Sequence, residues 1–155
     1  MSESAIALTV VALFAVVFPA FWIGVTMLIA QVGGWFRLQT EFPDRPQASR
    51  IKTLGYRSAQ LGHPLYGASY SGVLFFDVCE EGLRIRVWKL FGLFCKPIFL
   101  EWDDFRTEQY RWLMREACRM RWGPDTRDSM IIYRRLAEAI AVASNGKFGH
   151  PDQGR

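Results

Sequence analysis

The stretch from Ala5 to Ala30 reads AIALTVVALFAVVFPAFWIGVTMLIA and contains no charged residue, Asn, Gln or His. A helix needs about 20 consecutive apolar residues to cross the hydrocarbon core of a bilayer, so this stretch can span it with some tilt. Pro19 lies in the middle of the stretch, where membrane helices tolerate proline. The sequence therefore predicts an N-terminal transmembrane anchor over residues 1–34.

The residues that flank this stretch indicate how it is used. A cleaved signal peptide has a basic N-terminal region and a short apolar core. This chain begins MSES and its apolar run is longer, which favours an uncleaved anchor. Arg37, Arg45 and Arg50 follow the run, and no Lys or Arg precedes it. Under the positive-inside rule, we expect a single-pass protein of the inner membrane with a cytoplasmic C-terminal domain.

The remainder of the 155-residue chain is long enough for one domain with its own core. The formal net charge of +4 lies outside the apolar stretch. The cysteines, Cys79, Cys95 and Cys118, are odd in number and lack C-x-x-C spacing. This pattern predicts free thiols in a reducing compartment rather than a disulfide framework.

The clearest strand pattern lies between residues 83 and 88, where apolar residues alternate with arginines and a tryptophan. Its inward positions are predicted to be Leu83, Ile85 and Val87. Residues 80–82 precede it as a hairpin turn, in which Gly82 is expected to provide a positive φ.

Other segments show weaker strand patterns. Residues 108–122 fit either a helix or a pair of strands, and two short strands that turn near Arg115 and Glu116 are favoured. Residues 61–72 and 91–96 are predicted to be loops. The remaining predicted strands are 50–61, 73–79, 97–102 and 129–132.

A C-terminal amphipathic helix is predicted over residues 133–144, and Asn145 and Gly146 are its predicted C-cap because both tolerate the left-handed conformation. Its apolar stripe consists of Tyr133, Leu136, Ala137 and Ile140. The predicted fold is thus a transmembrane helix followed by an α+β, mainly β, domain. The predicted segments after the anchor are a juxtamembrane helix and linker over 35–49, the β-domain over 50–146 and a flexible tail over 147–155.

Two motifs carry a resemblance to known proteins. Residues 81–85 read EGLRI and residues 97–105 read PIFLEWDDF. This combination resembles small bacterial single-pass membrane proteins of unknown function that carry a pleckstrin-homology/GRAM-like domain. In that group the residue before the tryptophan is often Pro, whereas this chain has Glu101. The resemblance covers residues 35–144, and its motifs are structural rather than catalytic.

The resemblance implies a pleckstrin-homology-like antiparallel barrel or sandwich of about seven strands, closed by a C-terminal helix. Phosphoinositide-binding domains of this fold carry basic residues around the loop between their first two strands. Residues 59–70, the corresponding loop, contain no Lys or Arg, and His63 is its one potential cation. The inherited lipid-headgroup function is therefore not expected at this loop.

Catalytic and metal-binding motifs are weak. Residues 67–72 read GASYSG, close to the G-x-S-x-G nucleophile elbow but with Ser71 in place of the second glycine. A flexible loop is the favoured interpretation. The acidic residues Glu101, Asp103 and Asp104 could form a carboxylate pair or a hard-cation site, and the solvated end of a strand is favoured.

The two histidines, His63 and His150, each precede a proline and have no ligand-spaced partner. The sequence therefore predicts no catalytic residue, no cofactor and no metal site.

An arginine series occupies residues 106–135. Residues 106–135 contain eight Arg and four acidic residues, with Tyr110, Trp112 and Trp122 among them. The favoured interpretation is the polar face of a sheet. Contact with an anionic lipid surface is the second interpretation, and nucleic-acid binding is the third.

Together these features predict a membrane-anchored, non-enzymatic binding or scaffolding module. Its partners would be the lipid bilayer and a protein partner or a second copy of the chain, with no nucleic acid and no small-molecule substrate. A membrane-tethered hydrolase or transferase is the alternative.

Overall fold

The computed structural model describes residues 2–125 and 127–149. A long apolar helix, α1 (Glu3–Val32), is followed at once by a short helix, α2 (Trp35–Glu41), and then by seven strands and a third helix. The strands are β1 (Arg50–Leu61), β2 (Ala68–Cys79), β3 (Gly82–Val87), β4 (Ile98–Glu101), β5 (Arg106–Trp112), β6 (Arg115–Arg121) and β7 (Ser129–Tyr133), and the last helix is α3 (Arg134–Ala143). Within the described residues, α1 is the one helix that is long and apolar enough to cross a membrane.

The seven strands form one antiparallel, curled sheet in the order β4-β3-β2-β1-β7-β6-β5. Strand β1 belongs to both halves, because it pairs with β2 along its length and with β7 through residues 59–61. Its pairing with β2 is irregular between Leu54 and Arg57, and Tyr56 there has a φ of 53°. Such a bulge bends the strand and increases its twist, which allows the sheet to curl.

Helix α3 lies against this curled sheet and buries Leu136, Ala137 and Ile140. The helix ends at Ala143, one residue earlier than predicted, and its C-cap is Ser144. Asn145 and Gly146 follow in the expected left-handed conformation, with φ values of 53° and 82°, and the Gly146 N–H donates to Ala141 O at 2.9 Å. The predicted fold class, a pleckstrin-homology-like antiparallel sheet with a C-terminal helix, is therefore confirmed.

The period-two pattern of β3 is also confirmed, since Leu83 and Ile85 are 0% exposed and Val87 is 7% exposed. The segment 108–122 forms two strands rather than a helix. Its turn consists of Leu113 and Met114, one to two residues before the predicted position. Strand β2 begins at Ala68, five residues earlier than predicted, which shortens the preceding loop to residues 62–67.

Two predicted side-chain roles were wrong. Gly82 has no positive φ; a Cβ at this position would collide with the backbone of Leu100 on the neighbouring strand. Tyr133 ends β7 and is 42% exposed, because the helix begins one residue later and its buried stripe starts at Leu136. Trp102 lies just beyond the end of β4, where it is partly buried and packs against the core, and its Nε1 donates to Glu80 O at 3.0 Å.

Two predicted boundaries also need correction. The segment after α2 is packed on the domain rather than free as a linker, because Pro43 forms a bridge with Ile98 and Asp44 forms a two-bond ion pair with Arg84. The predicted tail begins too early, since Phe148 is 2% exposed and packs near Phe105. Residues 150–155 lie outside the described residues.

One buried charge stabilises the centre of the sheet. The Asp77 side chain on β2 is 0% exposed and accepts hydrogen bonds from Arg86 Nε at 2.7 Å and from Thr53 Oγ1 at 2.6 Å. Burial raises the pKa of this carboxyl, but the hydrogen bonds from Arg86 and Thr53 outweigh burial and hold the pKa below its usual value. The charged form of Asp77 is thus the stable one in the fold.

We expect Asp77→Asn to lower the free energy of unfolding by about 1.5–3 kcal/mol, the cost of losing hydrogen bonds to a charged group. The matched control is Asp44→Asn, which removes the similar but partly exposed pair with Arg84 and should cost about 1 kcal/mol or less. Unfolding of the full chain in detergent, followed by tryptophan fluorescence, measures both changes. Equal losses would contradict the assigned role of burial.

Because of Asp77, the free energy of unfolding should decrease at acidic pH. The folded-state pKa of Asp77 is lower than its unfolded value, so its contribution is fully present above the unfolded pKa of about 3.9. That contribution is lost as the pH falls through the lower folded pKa, and Asp77→Asn should flatten this part of the acid profile.

Candidate functional surfaces around the apolar helix

The apolar helix packs directly on the β-domain. Thr26 and Ala30 of α1 are 7% and 1% exposed, and both are small enough to let the backbones approach closely. Trp35, the first residue of α2, is 0% exposed and its Nε1 donates to Lys96 O at 2.9 Å. These contacts hold the domain at a defined position along the helix.

Gly33 makes the closest approach at this junction. It has ordinary right-handed dihedral angles, but a Cβ here would lie 2.6 Å from Ala68 Cβ and 3.3 Å from Tyr70 Oη. Glycine is therefore required by the close packing of α1 on β2.

We expect Gly33→Val to reduce the free energy of unfolding by about 1–3 kcal/mol, because the added side chain must push the helix away from the sheet. The matched control is Gly24→Val in the same helix, where no atom lies within 4 Å of the added Cβ and stability should not fall. Thermal unfolding of both full-length variants in detergent compares them. A neutral Gly33→Val would contradict a fixed junction.

A groove of about 710 Å³ lies beside the junction, where the end of α1, the β1–β2 loop and the β6–β7 loop meet. It contains Arg37, which forms an ion pair with Asp128, and Arg127. His63 lines the same groove, and its Nδ1 accepts a hydrogen bond from Leu65 N at 3.1 Å. The β1–β2 loop has no Lys or Arg, as the sequence shows, but distant segments bring arginines to it, which no local signal could reveal.

The residues weighed as catalytic candidates do not assemble into a site. Ser69 and Ser71 lie within strand β2, so the strand–turn–helix geometry of a nucleophile elbow is not present here. His63 is stacked on Tyr66, with ring centroids 5.2 Å apart, and its hydrogen bond is local.

The acidic candidates have structural roles. Glu101 forms an ion pair with Arg45, and Asp104 Oδ2 accepts from Glu101 N at 2.8 Å to cap the turn after β4. Asp103 lies in the same turn. In the described part of the chain, no group of three or more His, Cys, Asp and Glu residues is arranged to hold a metal ion. His150 lies outside that part, and the absence of a catalytic residue, cofactor or metal stays a prediction.

The three cysteines are free, and burial raises the pKa of each thiol. Burial raises the pKa of the Cys95 thiol to about 11 and that of the Cys118 thiol to about 12. Burial and the neighbouring Asp77 and Glu81 carboxylates also raise the pKa of Cys79. All three thiols are thus protonated and weakly nucleophilic near neutral pH.

The arginines of the series are distributed over β5, β6, the β6–β7 loop and α3. Arg119 stacks on Tyr110 at 3.8 Å from the ring centroid, Arg121 pairs with Glu108 at 3.3 Å, and Arg134 pairs with Glu116 and Glu138. These contacts give β5, β6 and α3 a surface of mixed charge, and only part of the series lies on strands.

The β3–β4 loop, residues 88–97, contacts α1 well before the helix ends. Trp22 Nε1 donates to Leu90 O at 3.1 Å, and the Trp22 ring meets the Phe91 ring edge-on at 5.2 Å between centroids. The exposed apolar side chains of this loop are Trp88, Leu90, Leu93 and Phe94. The sequence predicted a broad apolar turn here, but not its contact with the helix.

The β5–β6 hairpin ends in an unusual apolar turn. Leu113 and Met114 are 79% and 97% exposed, and their φ values of 44° and 65° are left-handed. Two-residue turns of this kind favour Asn-Gly, because a side chain with Cβ is strained at positive φ. Trp112 precedes this turn, and Arg111 and Arg115 flank the three residues.

Comparison of the chain with protein-family models, curated proteins and solved structures gave no match. The fold itself defines the class: a pleckstrin-homology-like β-domain packed on a long apolar helix. The resemblance to small bacterial single-pass membrane proteins stays a prediction.

Proposed function

We propose that this chain is a single-pass inner-membrane protein whose β-domain lies on the cytoplasmic side and binds a protein partner without catalysing a reaction. The hairpin tip, defined as residues 112–114, is the proposed contact surface. The observation that supports this proposal is the exposure of Leu113 and Met114 in left-handed conformations.

The tip is unfavourable for the isolated domain in two respects. Left-handed backbone costs about 1–2 kcal/mol for each residue that carries a Cβ. The exposed Leu and Met side chains gain nothing from burial in the domain's own core. Strained residues at exposed positions are typical of functional sites, and burial of this tip against a partner would offset both costs.

The surroundings of the tip favour a protein partner. Tryptophan, methionine and arginine are enriched in protein interfaces, and the tip combines an apolar centre with Arg111 and Arg115 at its rim. The adjacent surface between β6 and α3 also carries Glu116 and Glu138 beside Arg134. An anionic bilayer would repel these carboxylates, whereas a protein partner can complement mixed charges.

The direct packing of α1 on the domain supports a fixed role at the membrane. Because no free linker separates α2 from α1, the tip is presented in one orientation relative to the helix. A scaffold that positions a partner near the bilayer needs such a fixed presentation.

The topology is tested with an introduced cysteine at the tip. Cys79 and Cys118 are buried, so the full chain with Cys95→Ala and Met114→Cys presents one reactive thiol. A thiol reagent that cannot cross membranes should leave intact spheroplasts unlabelled and label the protein after lysis. Labelling of intact spheroplasts would place the domain on the other side of the membrane.

Partner binding is tested with a paired substitution that separates folding from contact. Leu113→Asn with Met114→Gly installs a preferred turn sequence, so we expect unchanged or greater stability together with loss of the partner. A photo-crosslinking amino acid at Met114 should give a defined protein adduct in membranes, which depends on Leu113. The matched position is Val142, which is 77% exposed on α3 and should give no such adduct.

Three results would contradict the proposed contact. An adduct to lipid alone would instead support binding of the membrane surface. Partner binding that survives the Asn-Gly substitution would remove the tip from the interface. Turnover of a small substrate that persists in the Asn-Gly variant would favour the membrane-tethered hydrolase or transferase.

A further inference from the structure

We propose that the β3–β4 loop, residues 88–97, inserts its apolar side chains into the bilayer beside α1 and gives the domain a second membrane contact. This inference rests on the proposed function, because it takes α1 to be a membrane anchor. It assigns a role to the ring contact between Trp22 of the helix and Phe91 of the loop, and to Trp88, which packs near Phe91.

The position of the loop along the axis of α1 supports insertion at the edge of the hydrocarbon core. Residues 2–21 are exposed along the helix, and Trp22 is the first residue that the domain partly covers. The rise from Glu3, the charged residue at the start of the helix, to Trp22 is about 29 Å at ~1.5 Å per residue. This length matches the hydrocarbon core of a bilayer, which is about 30 Å thick. The domain therefore begins to cover the helix where the hydrocarbon core ends.

The side chains of the loop suit a position at the edge of the hydrocarbon core. Leu90 and Leu93 are 53% and 55% exposed, and Trp88 and Phe94 are 42% and 44% exposed. Trp22 and Trp88 both pack near Phe91, and aromatic residues of this kind are concentrated at membrane–water interfaces. The loop thus extends the apolar surface of α1 sideways.

Two lysines, Lys89 and Lys96, lie on either side of the apolar positions 90–95. Lysine can bury its apolar stem at the interface and direct its ammonium group to the headgroups. Cations at this level also gain from the negative potential of anionic lipids. An apolar centre with a lysine on each side is typical of a segment that binds the membrane–water interface.

The hydrogen bond from Trp22 Nε1 to Leu90 O supports insertion over contact with water. An indole N–H near the hydrocarbon edge needs a partner, because lipid tails offer none. The loop carbonyl supplies that partner at 3.1 Å. Since α1 and the loop are joined at this point, a bilayer that surrounds Trp22 must also meet the loop.

The continuity of the loop with α1 favours the bilayer over a second protein as the occupant of this surface. The exposed loop side chains continue the apolar surface of α1, so an occupant would have to cover both. Lipid already surrounds an inserted α1, and the loop is held at its edge without a separate association step. Two contacts, the helix and the loop, would hold the domain and its hairpin tip in one orientation to the membrane.

The test measures depth in the membrane with the full-length chain. Leu93→Cys in a Cys95→Ala background is labelled with an environment-sensitive fluorophore and reconstituted into vesicles of phosphatidylethanolamine and phosphatidylglycerol. The same label is placed in the same background at Val16→Cys in the exposed part of α1 and at Val142→Cys on α3. Lipids that carry a nitroxide at the headgroup, at a shallow acyl carbon or at a deep acyl carbon then quench the emission.

We expect loss of emission from Leu93→Cys with the headgroup and shallow nitroxides, and little loss with the deep one. Val16→Cys should lose most emission with the deep nitroxide, and Val142→Cys should lose little with any of them. If Val16→Cys is quenched and Leu93→Cys is not, insertion of the loop is wrong and the anchor stands. If Val16→Cys is not quenched, the anchor itself is wrong, and the proposed function fails with it.

A second variant, together with measured unfolding midpoints, distinguishes loss of insertion from misfolding. The Cys95→Ala background must retain the unfolding midpoint of the unaltered chain. Leu90→Asp with Phe94→Asp in the Leu93→Cys chain should abolish the quenching at position 93 while the midpoint in detergent is retained, because both side chains are exposed in the fold. Quenching that persists in this variant would overturn insertion driven by the apolar side chains.

Discussion

Trp35 lies where the apolar helix meets the sheet, and its burial joins the two parts of the molecule. The indole is fully buried, donates to the Lys96 carbonyl and packs near the Tyr70 ring at 5.6 Å between centroids. Gly34 turns the chain with a φ of 74°, and Gly33 leaves room for β2. Because Trp35 follows α1 after two residues and is fixed in the core, the domain cannot rotate freely around α1. The position of every surface relative to the helix follows from this contact.

The curl of the sheet places the exposed features in different surroundings. The bulge at Tyr56 bends β1, so that its first part pairs with β2 and its end also pairs with β7. One result is a loop, residues 88–97, that lies against α1. Another is a separate hairpin whose tip presents Leu113 and Met114 to solvent. The proposed membrane contact and the proposed partner contact thus lie on different loops of one sheet.

Several features of the fold could be predicted because they depend on local chemistry. The alternation in β3 follows from the period of a strand, and the left-handed conformation of Asn145 and Gly146 just after α3 follows from their tolerance of positive φ. Predictions failed where a distant strand decides the environment. Gly82, for example, is required by the close backbone of Leu100 on the neighbouring strand. Of the candidate surfaces, the apolar composition of residues 91–96 was visible, but its contact with Trp22 was not.

The sequence by itself determined the long apolar helix, the phase of β3 and the C-terminal helix, because charge, periodicity and backbone preference act over a few residues. Only the tertiary structure decided which distant groups meet. The buried Asp77 carboxylate requires Arg86 and Thr53 from neighbouring strands, and the groove beside α1 receives Arg37 and Arg127 from different segments. These pairings depend on strand register and on the curl of the sheet. Both depend on the packing of the whole domain, which is a long-range balance of burial and sterics that no short stretch contains.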